Sequence, residues 1–115
     1  MLPKINRIKK KKDFEVIFKT AKSLKESFVI LKTVKNNLGV NRFGFVVSQK
    51  VSKKATERNR VRRRLASIIK SEGKNIKAGT DLVLIALPGI EKRSFLEIKD
   101  FFNKVINKAG IVIKD

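Results

Sequence analysis

Apolar residues recur along this chain with two periods, and the changes of period mark out its elements. Phe14, Ile17, Phe18 and Ala21 share one face at helical spacing, with Asp13 placed to cap that helix. Phe28 to Val34 is a β-branched and aromatic run that predicts a strand, and Lys35-Asn36-Asn37 with Gly39 predicts the turn that closes it. Arg42 to Val51 predicts a second strand, antiparallel to the first. Phe43, Phe45 and Val47 alternate onto one of its faces, Gly44, Val46, Ser48 and Lys50 onto the other. From about 56 to 72 the period is again helical. Val61, Leu65, Ile68 and Ile69 make a narrow apolar stripe, Thr56 is the expected N-cap, Glu57 suits the positive end of the helix, and Gly73 is the expected stop.

Asp81 to Leu87 is a continuous apolar run closed by Pro88-Gly89, which predicts a buried strand. Ser94 and Glu97 have the spacing of a capping box. Phe95, Ile98, Phe101, Phe102, Val105 and Ala109 then trace an amphipathic helix that stops at Gly110, and Ile111-Val112-Ile113 reads either as a short strand or as a segment docked on the core. The order helix, strand, strand, helix, strand, helix predicts an α+β fold: one domain over residues 1–115, a sandwich of a small central sheet with helices. Residues 1–12 read as a basic N-terminal arm with Lys9 to Lys12 in a row.

Charge changes the picture. Among 115 residues, 29 are Lys or Arg and 10 are Asp or Glu, giving +19. Such an excess opposes compactness and attracts polyanions, so nucleic acid is the expected partner and an anionic membrane its main competitor. There is no Cys and no His, which removes disulfides, thiolate chemistry, the usual zinc ligands and the commonest general base. Trp and Tyr are absent too, so any stacking on bases falls to Phe. The basic start is followed by no apolar segment of signal-peptide or membrane-spanning length, and a cytoplasmic location is expected. The few carboxylates are scattered, and no glycine-rich phosphate loop is present, so the reactive centre of any RNA chemistry is expected elsewhere.

The charge is concentrated. Eight of the fifteen residues from Lys50 to Arg64 are basic and one is acidic. Three readings apply to this stretch: a solvated face, a DNA recognition helix, or a surface for the phosphates of folded RNA. RNA is favoured because Lys50, Lys53 and Lys54 carry the charge onto the preceding strand end and loop. In addition, the helix lacks a Gln-rich or Asn-rich edge for reading bases, Asn59 being its only side-chain amide. Phe14 and Phe18 admit two readings: core packing, or a partly exposed wall on which single-stranded bases stack.

The ordered set of motifs resembles the protein component of bacterial ribonuclease P. Arg58-Asn59-Arg60-Val61-Arg62-Arg63 is similar to that family's Arg-Asn-Arg signature. Arg42 to Val51 is similar to its glycine-containing strand, Asp13 to Phe18 to its paired phenylalanines, and Asp81 to Ala86 to its buried strand. The resemblance implies a protein subunit that holds a catalytic RNA and the 5′ leader of precursor tRNA during leader removal, while the RNA carries the chemistry and binds the required magnesium. It implies no catalytic residue, metal or cofactor on the protein, and neither membrane nor DNA as partner. Arg58, Asn59, Arg60, Arg62 and Arg63 are the implied contacts to the catalytic RNA. Phe14, Phe18, Ser48, Lys50, Lys53 and Lys54 are the implied contacts to the leader, in a cleft between the basic helix, the sheet and the first helix. A left-handed strand–helix–strand crossover is implied as well, against the general right-handed rule. Gln49 and Ala66 depart from the family pattern by standing where a basic residue is usual, and Leu87 with Pro88 replaces a basic site after the buried strand. The alternative is an accessory ribosomal-RNA-binding protein, which shares the charge but not the motif set.

Overall fold

The computed structural model describes residues 6–8 and 10–113. Its first helix, α1 (Lys11–Thr20), starts two residues before the expected cap. Lys10 occupies the N-cap position without a side-chain bond, and Asp13 lies inside the first turn. Asp13 is used differently: its carboxylate pairs with Arg42 at 3.2 Å and ties the helix to the sheet. The basic arm is also not a free tail throughout. Ile8 is buried, its N–H donates to the Phe43 carbonyl at 2.9 Å, and Arg7 bridges Phe43 in parallel. Residues 1–5 and Lys9 lie outside the described set.

Four strands follow: β1 (Lys22–Glu26), β2 (Val29–Lys35), β3 (Arg42–Val46) and, later in the chain, β4 (Thr80–Ala86). β1 was not predicted, because Lys-Ser-Leu-Lys-Glu has a single apolar side chain; pairing with β2 supplies what its own sequence lacks. The register Glu26↔Val29 leaves a two-residue hairpin loop, and Ser27 adopts the left-handed φ of 50° that such tight loops need. β3 does run opposite to β2, but the two are not neighbours. The sheet order is β1-β2-β4-β3, with β4 antiparallel to β2 and parallel to β3. β3 ends at Val46 rather than Val51, since Ser48–Val51 closes a turn (Val51 N–H to Ser48 carbonyl, 3.0 Å).

Two helices cover one face of this sheet: α2 (Ala55–Glu72) and α3 (Phe95–Ala109). Val29, Leu31, Phe43, Leu82, Leu84 and Ala86 point from the strands into a core completed by Val61, Leu65, Ile68 and Ile69 of α2 and Ile98, Phe102, Val105 and Ile106 of α3. α1 covers part of the other face, where Ile8, Ile17 and Val83 form a smaller cluster with Phe14, Val46 and Ile85. Gly44 permits this packing, since a Cβ there would stand 2.8 Å from the Phe14 ring.

The ends of α2 differ from expectation. Thr56 is not the cap: Lys54 holds that position, while the Ser52 hydroxyl accepts from Lys54 N–H (3.2 Å) and donates to Glu57 (2.7 Å). Gly73 is right-handed and leads into a 3₁₀ turn, so the helix ends by tightening and not at a left-handed glycine. α3 follows its sequence signals closely. Ser94 and Glu97 exchange both capping-box bonds at 3.1 and 3.0 Å, and Gly110 takes the left-handed C-cap with φ 68°. The tail docks as an isolated antiparallel bridge between Val112 and Ile76.

Candidate nucleic-acid interface

The N-terminal half of α2 and the loop 47–54 present the residues singled out from sequence. The narrow stripe Val61, Leu65, Ile68, Ile69 is buried against the sheet, so most of the helix circumference is left for cations. What the sequence did not reveal is how those cations are held. Arg58 folds back, donating to the carbonyls of Ser52 at 2.9 Å and Lys53 at 3.0 Å. Arg60 donates to the Glu91 carbonyl at 3.2 Å and lies 3.7 Å from Glu57. Arg62 bridges the Val47 carbonyl (3.2 Å) and the Asn59 side-chain oxygen (2.9 Å), and Arg64 donates to the Arg93 carbonyl (3.0 Å). Arg63 is exposed and has no side-chain partner among the described residues.

These acceptors are mostly neutral carbonyls. They orient a guanidinium without cancelling its charge, and each guanidinium keeps further donors for an outside ligand. The carboxylates are spent elsewhere. Asp81 and Asp13 hold Arg42, Glu72 holds Lys99, Asp100 holds Lys104 and Glu26 holds Lys108. Among the described carboxylates only Glu57 pairs with an arginine of α2, Arg60. Its carboxyl is held below the usual range first by the Ser52 hydroxyl, against some desolvation, and then by Lys54, Arg60 and Lys92. Among the described residues no three His, Cys, Asp or Glu side chains gather where they can hold a metal ion, and no helix is long and apolar enough to cross a membrane.

Ser48, Lys50, Lys53 and Lys54 are exposed or nearly so in the loop that leads into α2. Phe14 and Phe18 lie on the other side of the sheet. Phe14 is half-buried on Gly44, whereas Phe18 is 44% exposed with the Lys32 ammonium 5.6 Å from its ring centre. The two rings thus split between the two readings, Phe14 mainly packing and Phe18 mainly offered outward. α1 and α2 stand on opposite faces, and β3 with its following loop is the passage between them. Lys32 was not singled out from sequence because its neighbour Phe18 lies on another element, and only folding brings the two together.

The departures have distinct settings. Gln49 is exposed in the loop and Pro88 is exposed after β4, while Leu87 is half-buried and donates its N–H to the Phe28 carbonyl at 2.9 Å. Ala66, 9% exposed, joins Phe45, Asn59, Arg62 and Arg63 around a cavity of about 310 Å³. A larger hollow of about 740 Å³ lies at the far end of the sheet, beside Lys22, Lys35 and Lys77, and none of the expected RNA contacts lines it.

Comparison with known proteins covers the whole of this architecture. The family model described as Ribonuclease P matches residues 2–110. A Ribonuclease P protein component from Syntrophomonas wolfei is 34% identical over 115 residues, which is 100% of this chain and 96% of that protein. One from a Thermoanaerobacter species is 37% identical over 111 residues, covering 96% of this chain and 95% of its own length. Among solved structures, the RNase P protein of Staphylococcus aureus aligns with a TM-score of 0.86 at 27% identity, covering 94% of this chain and 98% of that one. The RNase P protein of Thermotoga maritima aligns at 0.81 with 26% identity, covering 95% and 98%.

Proposed function

The chain belongs to the ribonuclease P protein family, and from that premise we propose how its surface is divided between two RNA partners. As a member it is the RNA-binding subunit of an endoribonuclease of tRNA 5′ maturation, in which the RNA subunit is catalytic; the ribosomal-RNA alternative is not favoured. In the proposed division, Arg58, Asn59, Arg60, Arg62 and Arg63 grip the catalytic RNA. Phe14, Phe18, Ser48, Lys50, Lys53 and Lys54 receive the 5′ leader of precursor tRNA. The leader runs from the loop 47–54 past the edge of β3 to Phe18, whose exposed ring offers a stacking face and whose neighbour Lys32 offers a phosphate contact. Magnesium belongs to the RNA in this reading, and the site of action is the cytoplasm.

One observation carries the proposal: Arg58, Arg60, Arg62 and Arg64 of α2 donate to neutral carbonyls, so their direction is set while most of their charge stays available, and Arg63 stands exposed among them. The protein's contribution is then to neutralise phosphate and position the substrate, which lowers the cost of bringing two polyanions together. Reconstitution tests it. The chain is mixed with a catalytic RNA of this family and a precursor tRNA, and leader removal is followed at low magnesium. Arg63→Ala is expected to weaken binding of the catalytic RNA about tenfold, a typical loss for a charge-assisted contact. Full affinity in that variant, or leader cleavage by the protein with no RNA subunit present, sinks the proposal.

A further inference from the structure

We infer that the cavity between α2 and the outer edge of β3 receives a single unpaired RNA base, and that it selects guanine. The inference rests on the reading that α2 binds RNA. Asn59, Arg62, Arg63 and Ala66 follow one another at i, i+3, i+4 and i+7, so they form one stripe along the helix. Phe45 faces that stripe from β3, the edge strand of the sheet. The resulting hollow of about 310 Å³ is at the small end of ligand pockets, on the scale of one ring system rather than a helix.

Its chemistry is asymmetric. The ring of Phe45 and the methyl of Ala66 give it an apolar lining, which a phosphate does not need and a flat base does. The polar groups at its rim are donors. Arg62 holds the Asn59 side-chain oxygen at 2.9 Å, so the amide nitrogen of Asn59 is the group left to a ligand. Arg63 adds a guanidinium with no side-chain partner among the described residues, and no carboxylate lines the cavity. A donor-only rim suits a base edge with two adjacent acceptors. On the edge away from its pairing face guanine offers O6 and N7 side by side, the pair that a guanidinium takes in a bidentate fashion; on the corresponding edge adenine and cytosine carry an amino donor, which a donor-only rim leaves unpaired. A base within a stacked helix does not reach such a recess, so the ligand is a splayed nucleotide. A second copy of this chain is disfavoured as occupant by the +19 each copy carries.

Fluorescence anisotropy of the intact chain with short oligouridines, unmodified or carrying one central guanosine, adenosine or cytidine, tests the inference at fixed salt. The guanosine oligomer is expected to bind about tenfold more tightly than oligouridine, with no gain for adenosine or cytidine, in line with the discrimination of a bidentate contact. Ala66→Met fills the cavity without changing charge, and Arg63→Lys keeps the charge but lacks the planar fork. Each is expected to bring the guanosine-to-uridine affinity ratio close to one. If Ala66→Met loses helical circular dichroism, the exposed Arg63→Lys decides. Equal affinity for all four oligomers, or a guanosine preference that survives both variants, overturns the base pocket. Where precursor tRNA still binds with steep salt dependence, that failure leaves the proposed function standing. Loss of salt-dependent binding to precursor tRNA as well removes both.

Discussion

At the scale of single residues, the two phenylalanines of α1 divide between packing and exposure. Phe14 rests on Gly44, and Phe18 turns its ring outward beside Lys32. Phe18→Ala is therefore expected to change the melting temperature little while reducing the affinity advantage of precursor tRNA over mature tRNA, measured by titration of the reconstituted complex. Phe14→Ala is expected to cost about 2 kcal/mol in denaturant unfolding, below the range for a fully buried Phe, because the ring is only half-buried. Asp81 is a second case. It is 4% exposed and accepts from Arg42 at 2.9 and 2.6 Å and from Asn36 at 2.6 Å, so it joins β4 to β3 and to the turn after β2. Asp81→Ala is expected to destabilise by about 2 kcal/mol, because it removes the closer of two carboxylates from a partly buried guanidinium and leaves it with Asp13 alone. Arg42→Met combined with Asp81→Leu is expected to recover part of that loss, which a double-mutant cycle would read.

Elements carry consequences that no single contact does. α3 is set by its capping box, and the Glu97 carboxyl is held below its usual 4.5, first by the Ser94 N–H, against a small desolvation, with the Ser94 hydroxyl and Arg93 adding to it. A carboxyl with a lowered folded value contributes stability that is fully present above the ordinary value and is lost as pH falls through the lowered one. Wild-type melting temperature is expected to drop on acidification below 4.5, and Glu97→Gln, which keeps a hydrogen-bonding group but cannot titrate, is expected to show a shallower drop. α2 behaves differently. It lacks a side-chain N-cap and carries dense positive charge, so its stability comes from the buried stripe and from arginines bonded to neighbouring carbonyls. In the proposed function those same bonds aim the arginines at RNA.

For the whole molecule, the governing quantity is an unneutralised charge of +19. Since the described carboxylates mostly serve internal pairs, salt acts chiefly on the partner's phosphates. Affinity for precursor tRNA is expected to fall with a log–log slope of about 0.7 to 0.9 per phosphate neutralised. Replacing Lys50, Lys53 and Lys54 together by Ala is expected to reduce the size of that slope by about 2 to 3, with the melting temperature unchanged, because none of the three forms an ion pair among the described residues. A slope unaltered by the triple substitution would place the leader elsewhere on the surface.

The buried strand β4, the two long helices, the capping box of α3 and the location of the cations, and with them the class of fold, were legible in the sequence, because each of these elements is local. Periodicity marks a buried face, a box needs two residues three apart, and charge density is visible in a single stretch. Tertiary structure decided the rest. β1 exists only because β2 pairs with it, and β4 enters between β2 and β3, a choice that depends on which apolar faces meet and not on any one strand's residues. Asp13 serves Arg42 rather than the helix end, since an ion pair across elements cannot be read from either element alone. The carbonyls that aim Arg58, Arg60 and Arg62 come from the loop before α2, from the turn before α3 and from the residue after β3, and only folding brings them to the same helix.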